Sequence, residues 1–454
     1  MKNKLFMLMV GPFNTRSGYG EHARDMFHSF YDMDKFDIKI MDTRWGDTPR
    51  NALNKNSAKD KLLLDRIVAG NELEKQPDIC VDVRIPNEFN PVGKFNIGIT
   101  AGIESTAVSS KWIEGVNKVD LTIVPSEHSK KSFVDSIYDQ VRDLPNGQKE
   151  KIGELKVNKP MEVLFEGGNL DVYKPLTVKE LNSNILNDIN SIIKEKFAFL
   201  FVGLWGNGGM GEDRKDIANT IKIFYETFAN TKNPPALLLK THGSNFSVLD
   251  YENTIAKIKS IKSNFPSVVK LPQVYLLHGE LTEQEMNSLY NHPKIKAMIS
   301  FTHGEGFGRP LFEATLTELP VIASNWSGHL DFLNENSSIL INGSLNEIPN
   351  SAVWEDILIK ESKWFTVDEN QASQALKFAY ENIYTLKNKA KNLCRINREK
   401  FSQDKMRESL EEILEKHMKE ISSPVELKLP QLEPVKKSPV VKLPKLESVS
   451  NEKN

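Results

Sequence analysis

Glu305 and Glu313 bracket the run Glu305-Gly306-Phe307-Gly308-Arg309-Pro310-Leu311-Phe312-Glu313. A carboxylate accepts hydrogen bonds from hydroxyls. Glycines such as Gly306 and Gly308 let a backbone come close to a ligand. The N–H groups of a first helical turn face an anion, and Pro310 sits where a missing N–H costs nothing. Two carboxylates beside an anion-binding helix start are electrostatically unfavourable unless each has hydroxyls to accept from. The expected ligand therefore carries both sugar and phosphate. Spacing alone does not decide this, because two glutamates eight positions apart also arise by chance, and Glu313 also complements a helix dipole.

Ile295–Phe301 reads as a short buried strand before this run and Leu311–Thr317 as the opening of a helix after it. Strand, glycine-bearing loop and helix N-terminus is the order in which open α/β sheets hold phosphorylated ligands. The same order recurs near the start of the chain. Lys4–Val10 is an apolar strand, followed by a loop with Gly18 and Gly20 and a helical pattern from Glu21 to about Tyr31. A third instance is Phe197–Gly203, whose loop ends Asp213-Arg214-Lys215-Asp216. Cations are disfavoured at a helix N-terminus without an anionic ligand, although a solvated helix start reads the same way.

The segment from Glu305 through Pro320-Val321-Ile322-Ala323-Ser324 and the small-residue loop to Gly328 resembles the retaining glycosyltransferases of family 4, which have the two-domain GT-B fold. Their signature is two glutamates separated by seven residues within EGFG-x4-E, then a PVIAS-type strand. The resemblance implies transfer of a sugar from a UDP- or GDP-linked donor, with retention and without a metal or other cofactor. Glu305 would accept from donor-sugar hydroxyls and Glu313 from the ribose. Lys215, with Arg214, would face the diphosphate. Gly18, Gly20, Leu281, Gly306, Phe307, Gly308, Arg309 and Leu311 would line the nucleotide. An arginine usual just after the third strand is replaced by Leu204, so either Arg214 substitutes for it or the site lacks one cation. Many members carry a histidine after the strand Phe95–Thr100; here Glu104 is the polar candidate, either facing the donor sugar or capping the helix that carries Trp112.

The chain has 454 residues, 39% hydrophobic and 26% charged, with a formal charge of −2. That length predicts more than one core, and the charge gives no global basic field for nucleic acid. No run approaches a membrane span, no secretory signal opens the sequence, and Cys80 and Cys394 read as reduced thiols in a cytoplasmic protein. Alternating strands and helices predict an α/β fold of two doubly wound Rossmann-like domains facing across a cleft. Residues 1–168 would form an acceptor domain and 169–400 a nucleotide-sugar donor domain. The helix in 401–421 would cross back to the first, and 139–159 reads as a loop or small insertion. Residues 422–454, punctuated by five prolines from Pro424 to Pro444, read as a disordered tail that either solubilises or docks a partner. Saccharide or glycolipid acceptors are expected, with a hydroxylated base in DNA as the alternative. Two other readings remain: a dinucleotide-binding oxidoreductase using Gly18, Gly20 and Asp42, and a GT-B module without catalysis.

Overall fold

The computed structural model describes residues 4–418, apart from 69, 71, 72, 74, 146, 147, 207 and 244. The expected tail, and the last residues of the expected C-terminal helix, lie outside the described residues. The first sheet contains β1 (Leu5–Gly11), β2 (Phe36–Asp42), β3 (Ile79–Val83), β4 (Phe95–Ile99) and β5 (Leu121–Val124). The expected insertion is an antiparallel hairpin, β6 (Tyr138–Asp143) with β7 (Lys149–Leu155), and β8 (Met161–Val163) then completes the first sheet. The order is β2-β1-β3-β4-β5-β8, all pairs parallel. Strands β3 and β5 are buried at every position because both faces are covered, whereas edge strand β2 alternates buried and exposed.

The second sheet holds β9 (Ala198–Leu204), β10 (Ala236–His242), β11 (Val274–Leu277), β12 (Ile295–Ser300), β13 (Val321–Ser324) and β14 (Ile339–Ile341). It is also parallel, in the order β11-β10-β9-β12-β13-β14. Side chains along these strands divide with the two-residue period of a pleated strand. Phe199, Phe201, Leu237 and Leu239 enter one apolar cluster, while Ala198, Leu200, Leu238 and Met298 enter the cluster on the opposite face. A hairpin of β15 (Gly343–Glu347) and β16 (Lys363–Val367) follows.

The C-terminal helix, Gln403–His417, sends Met406, Leu410 and Leu414 into the core of the first sheet beside Met26, Phe27 and Phe30. Their four-residue spacing lines one face of the helix. The chain thus returns to its first lobe after building its second. Among the described residues no helix is long and apolar enough to cross a membrane.

Candidate functional site

The second sheet changes winding direction between β9 and β12, so the loops leaving these neighbouring strands diverge and open a crevice. The loop after β9 carries Asp213, Arg214 and Lys215, and the loop after β12 carries His303 to Gly308. Asp213 shapes the first loop by accepting from the backbone N–H groups of Gly206 at 2.9 Å and Ile217 at 3.4 Å. The two loops are joined where His303 N–H donates to the Arg214 carbonyl at 2.8 Å.

Glu305, buried in the loop after β12, ties that loop to the loop after β9. One carboxylate oxygen accepts from Lys215 Nζ at 2.5 Å and the other from Arg214 at 3.2 Å. Its backbone N–H donates to Ser327 Oγ at 2.9 Å, which fixes the loop from the β13 side. Burial opposes ionisation of Glu305, but Lys215 and Arg214 overcome it and pull its pKa down to about 2. Burial lowers the pKa of Lys215 despite Glu305 beside it. Arg214 is shifted the other way, because Glu104 and Glu305 outweigh its burial. An anion joining this cluster favours the charged form of Lys215, whose ammonium carries two N–H donors beyond the one given to Glu305.

Glu104 reaches this cluster from the first lobe, 3.6 Å from Arg214. The cap of the helix Ser110–Val116 is Ser109, so of the two expected roles for Glu104 the structure excludes capping. Leu204 stands half-exposed at the end of β9, and the guanidinium beside Glu305 is that of Arg214.

Glu313, on the helix Arg309–Leu316, is buried and accepts from Tyr290 Oη at 3.0 Å. Burial, reinforced by Glu21, raises its pKa above the ordinary carboxylate range against the pull of Arg309. Tyr290 was not signalled by the sequence, since it lies 23 residues away at the end of another helix. Ser327 likewise carried no spacing that linked it to Glu305.

Several expected nucleotide contacts have other partners. Arg309 donates to Asp25 at 2.5 Å and to Glu166 at 2.9 Å, joining the lobes. Phe307 and Leu311 are buried in the second-lobe core, which leaves their backbone groups as the contacts they offer. Leu281 is partly buried against that core. A Cβ on Gly306 would lie 2.0 Å from the Ala101 carbonyl, so its close approach is to the facing lobe. Gly308 has φ +97°, a left-handed conformation that favours glycine. Gly20 N–H donates to Ser17 Oγ, the helix cap, and a Cβ there would meet the Thr15 carbonyl at 2.3 Å. Gly18 faces open space. Asp42, needed for a ribose in the dinucleotide reading, accepts from Asn14 N–H and from Arg50. Cys80 and Cys394 are buried free thiols. Among the described residues no group of three or more His, Cys, Asp or Glu is placed to hold a metal ion.

No family model and no curated protein sequence matches this chain. Solved structures do. Anabaena HepE in complex with UDP-glucose superposes with a TM-score of 0.57 at 12% identity, covering 91% of this chain and 100% of that one. Sucrose-phosphate synthase from Thermosynechococcus elongatus gives 0.59 at 11% identity, over 91% and 99%. A glycosyltransferase from Rickettsia africae gives 0.57 at 14% identity, over 92% and 100%. At these identities the likeness establishes the fold: this chain has the GT-B architecture of two Rossmann-like domains.

Proposed function

We propose that this protein is a glycosyltransferase that moves a sugar from a nucleoside-diphosphate sugar to an acceptor hydroxyl, with retention at the anomeric carbon. The observation that carries this reading is the Glu305–Lys215–Arg214 cluster in the β9/β12 crevice, faced by Glu104. Negative charge grows on the diphosphate as the glycosidic bond stretches. Lys215, Arg214 and the backbone N–H groups at the start of the helix Arg309–Leu316 stabilise that charge most in the transition state. Glu305, kept ionised by its two cations, accepts from donor-sugar hydroxyls and is no proton donor near neutral pH. Glu313 accepts from the ribose. A front-face route, in which the departing phosphate takes the acceptor proton, needs no nucleophilic carboxylate. HepE is solved with UDP-glucose, so UDP-sugars head the donor screen.

The test is nucleoside-diphosphate release across UDP- and GDP-linked sugars, with mass spectrometry of saccharide, glycolipid and hydroxymethylated-DNA acceptors. Turnover is expected to persist in EDTA, because protein cations offset the leaving charge. Loss of turnover in EDTA with rescue by magnesium or manganese overturns that part. Absence of release from every donor overturns the reading.

A further inference from the structure

We propose that Trp45 and Tyr19 form an aromatic platform on the first lobe that binds a neutral pyranose ring of the acceptor; as an acceptor site, this rests on the glycosyl-transfer reading above. The two rings are stacked, with centroids 4.1 Å apart and planes inclined by 28°. Both are half-buried, and neither belongs to any of the apolar clusters that make the cores of the two lobes.

Their position is tied to the reacting centre. Tyr19 lies in the first turn of the helix Gly18–Asp32, and its hydroxyl bonds Thr100 Oγ1 at 2.8 Å, where β4 ends. The loop that begins there runs four residues to Glu104, which pairs with Arg214 beside Glu305. Trp45 comes from the loop after β2. That loop is held by Thr43 N–H to the Gly11 carbonyl at 2.8 Å, by Thr48 N–H to the Trp45 carbonyl at 3.0 Å, and by the Arg50–Asp42 ion pair. The stack is thus built on the carboxyl ends of β1, β2 and β4, the side of the sheet on which α/β ligands bind.

The surroundings select among aromatic-binding ligands. The axial C–H face of a pyranose packs on an indole face, and its equatorial hydroxyls need acceptors at the rim. Glu104 and Glu88 act on Tyr19 electrostatically and, behind the larger effect of burial, help keep its phenol protonated. Arg84 is occupied by Asp82 at 2.6 Å and Arg50 by Asp42 at 2.5 Å. Glu88 and Glu104 each pair with an arginine, Arg84 at 3.5 Å and Arg214 at 3.6 Å, yet keep oxygens that accept from a neutral polyol. With Asp82 and Glu305 on the same two arginines, no excess positive charge remains on them for a phosphate backbone, which favours a saccharide over DNA.

The test is saturation-transfer NMR on the full chain with methyl α-glucopyranoside, methyl α-mannopyranoside and methyl β-galactopyranoside as probes, alongside UDP binding and nucleoside-diphosphate release. At least one probe should be saturated on one ring face. Trp45→Leu should weaken that probe by about tenfold and Trp45→Phe much less, with UDP affinity unchanged in both. This pair compares a π face with its absence at similar apolar bulk, so the result does not depend on a truncation that unfolds the loop. Equal saturation in wild type and Trp45→Leu, or none in wild type, overturns the platform. So does binding of a hydroxymethylcytosine duplex at Trp45 with no pyranoside bound. Pyranoside binding that depends on Trp45, in a protein that releases no diphosphate from any donor, keeps the platform and overturns the glycosyl-transfer reading instead.

Discussion

Lys215 is the residue at which the proposed function separates binding from catalysis. Its ammonium is buried against Glu305, and under the proposed glycosyl transfer its interaction with a diphosphate would strengthen as the leaving group gains charge. Lys215→Ala is expected to lower kcat by about 10²–10³-fold, read by single-turnover rates at saturating donor. A rise in KM alone shows that the lysine only binds. Glu313 makes a different demand. If Glu313 accepts from ribose hydroxyls as proposed, Glu313→Gln should cost about 1.5–3 kcal/mol of nucleotide affinity, measured by calorimetry. Because burial and Glu21 raise its pKa, the ionised form gains population as pH rises, and wild-type affinity should increase with pH across the neutral range. The glutamine variant should lose that dependence. Equal affinity of the two proteins at every pH removes Glu313 from the nucleotide site.

At the scale of elements, the glycines divide by what they face. The loop Gly304–Gly308 lies so close to the loop after β4 that a Cβ on Gly306 would sit 2.0 Å from a backbone oxygen. Gly306→Ala therefore forces the two loops apart, and a loss of about 1–3 kcal/mol is expected in urea unfolding. Gly18 has nothing within 4 Å of its added Cβ, so Gly18→Ala should leave unfolding nearly unchanged. Any effect of that substitution should appear in nucleotide affinity, as expected if a diphosphate approaches there. Unaltered stability in Gly306→Ala would show that the loops can separate without cost. The glycine pattern was legible in the sequence. Its meaning at Gly306 was not, because the atom that makes glycine necessary belongs to a loop two hundred residues earlier.

For the whole molecule, Arg309 is one of the fastenings between lobes. It joins Asp25 of the first lobe to Glu166 in the crossing segment, with Glu21 3.7 Å away, and Gln403 of the returning helix donates to the same Asp25. Removing one member of a buried ionic group leaves the others uncompensated. Arg309→Met should cost about 3–5 kcal/mol in denaturant unfolding, and adding Asp25→Asn should recover part of it. A loss below about 1 kcal/mol would show that water replaces the guanidinium and that the cluster does not hold the lobes together.

What this sequence determined by itself was local. Apolar runs such as Ile79–Val83 and Leu121–Val124 become strands because buried parallel strands need apolar residues on both faces. Ser126 and Thr282 cap helices because their side chains reach N–H groups three residues on. The alternation of these elements sufficed for the doubly wound class. Tertiary structure alone decided the partners. Arg309 sits among candidate ligand contacts in the sequence, yet its charge is taken by Asp25, 284 positions away, and Arg214 reaches Glu305 across 91. Tyr290 under Glu313 and Tyr19 against Trp45 follow the same rule. A side chain's ionisation and reach depend on what lies within a few ångströms, and chain separation does not encode that distance.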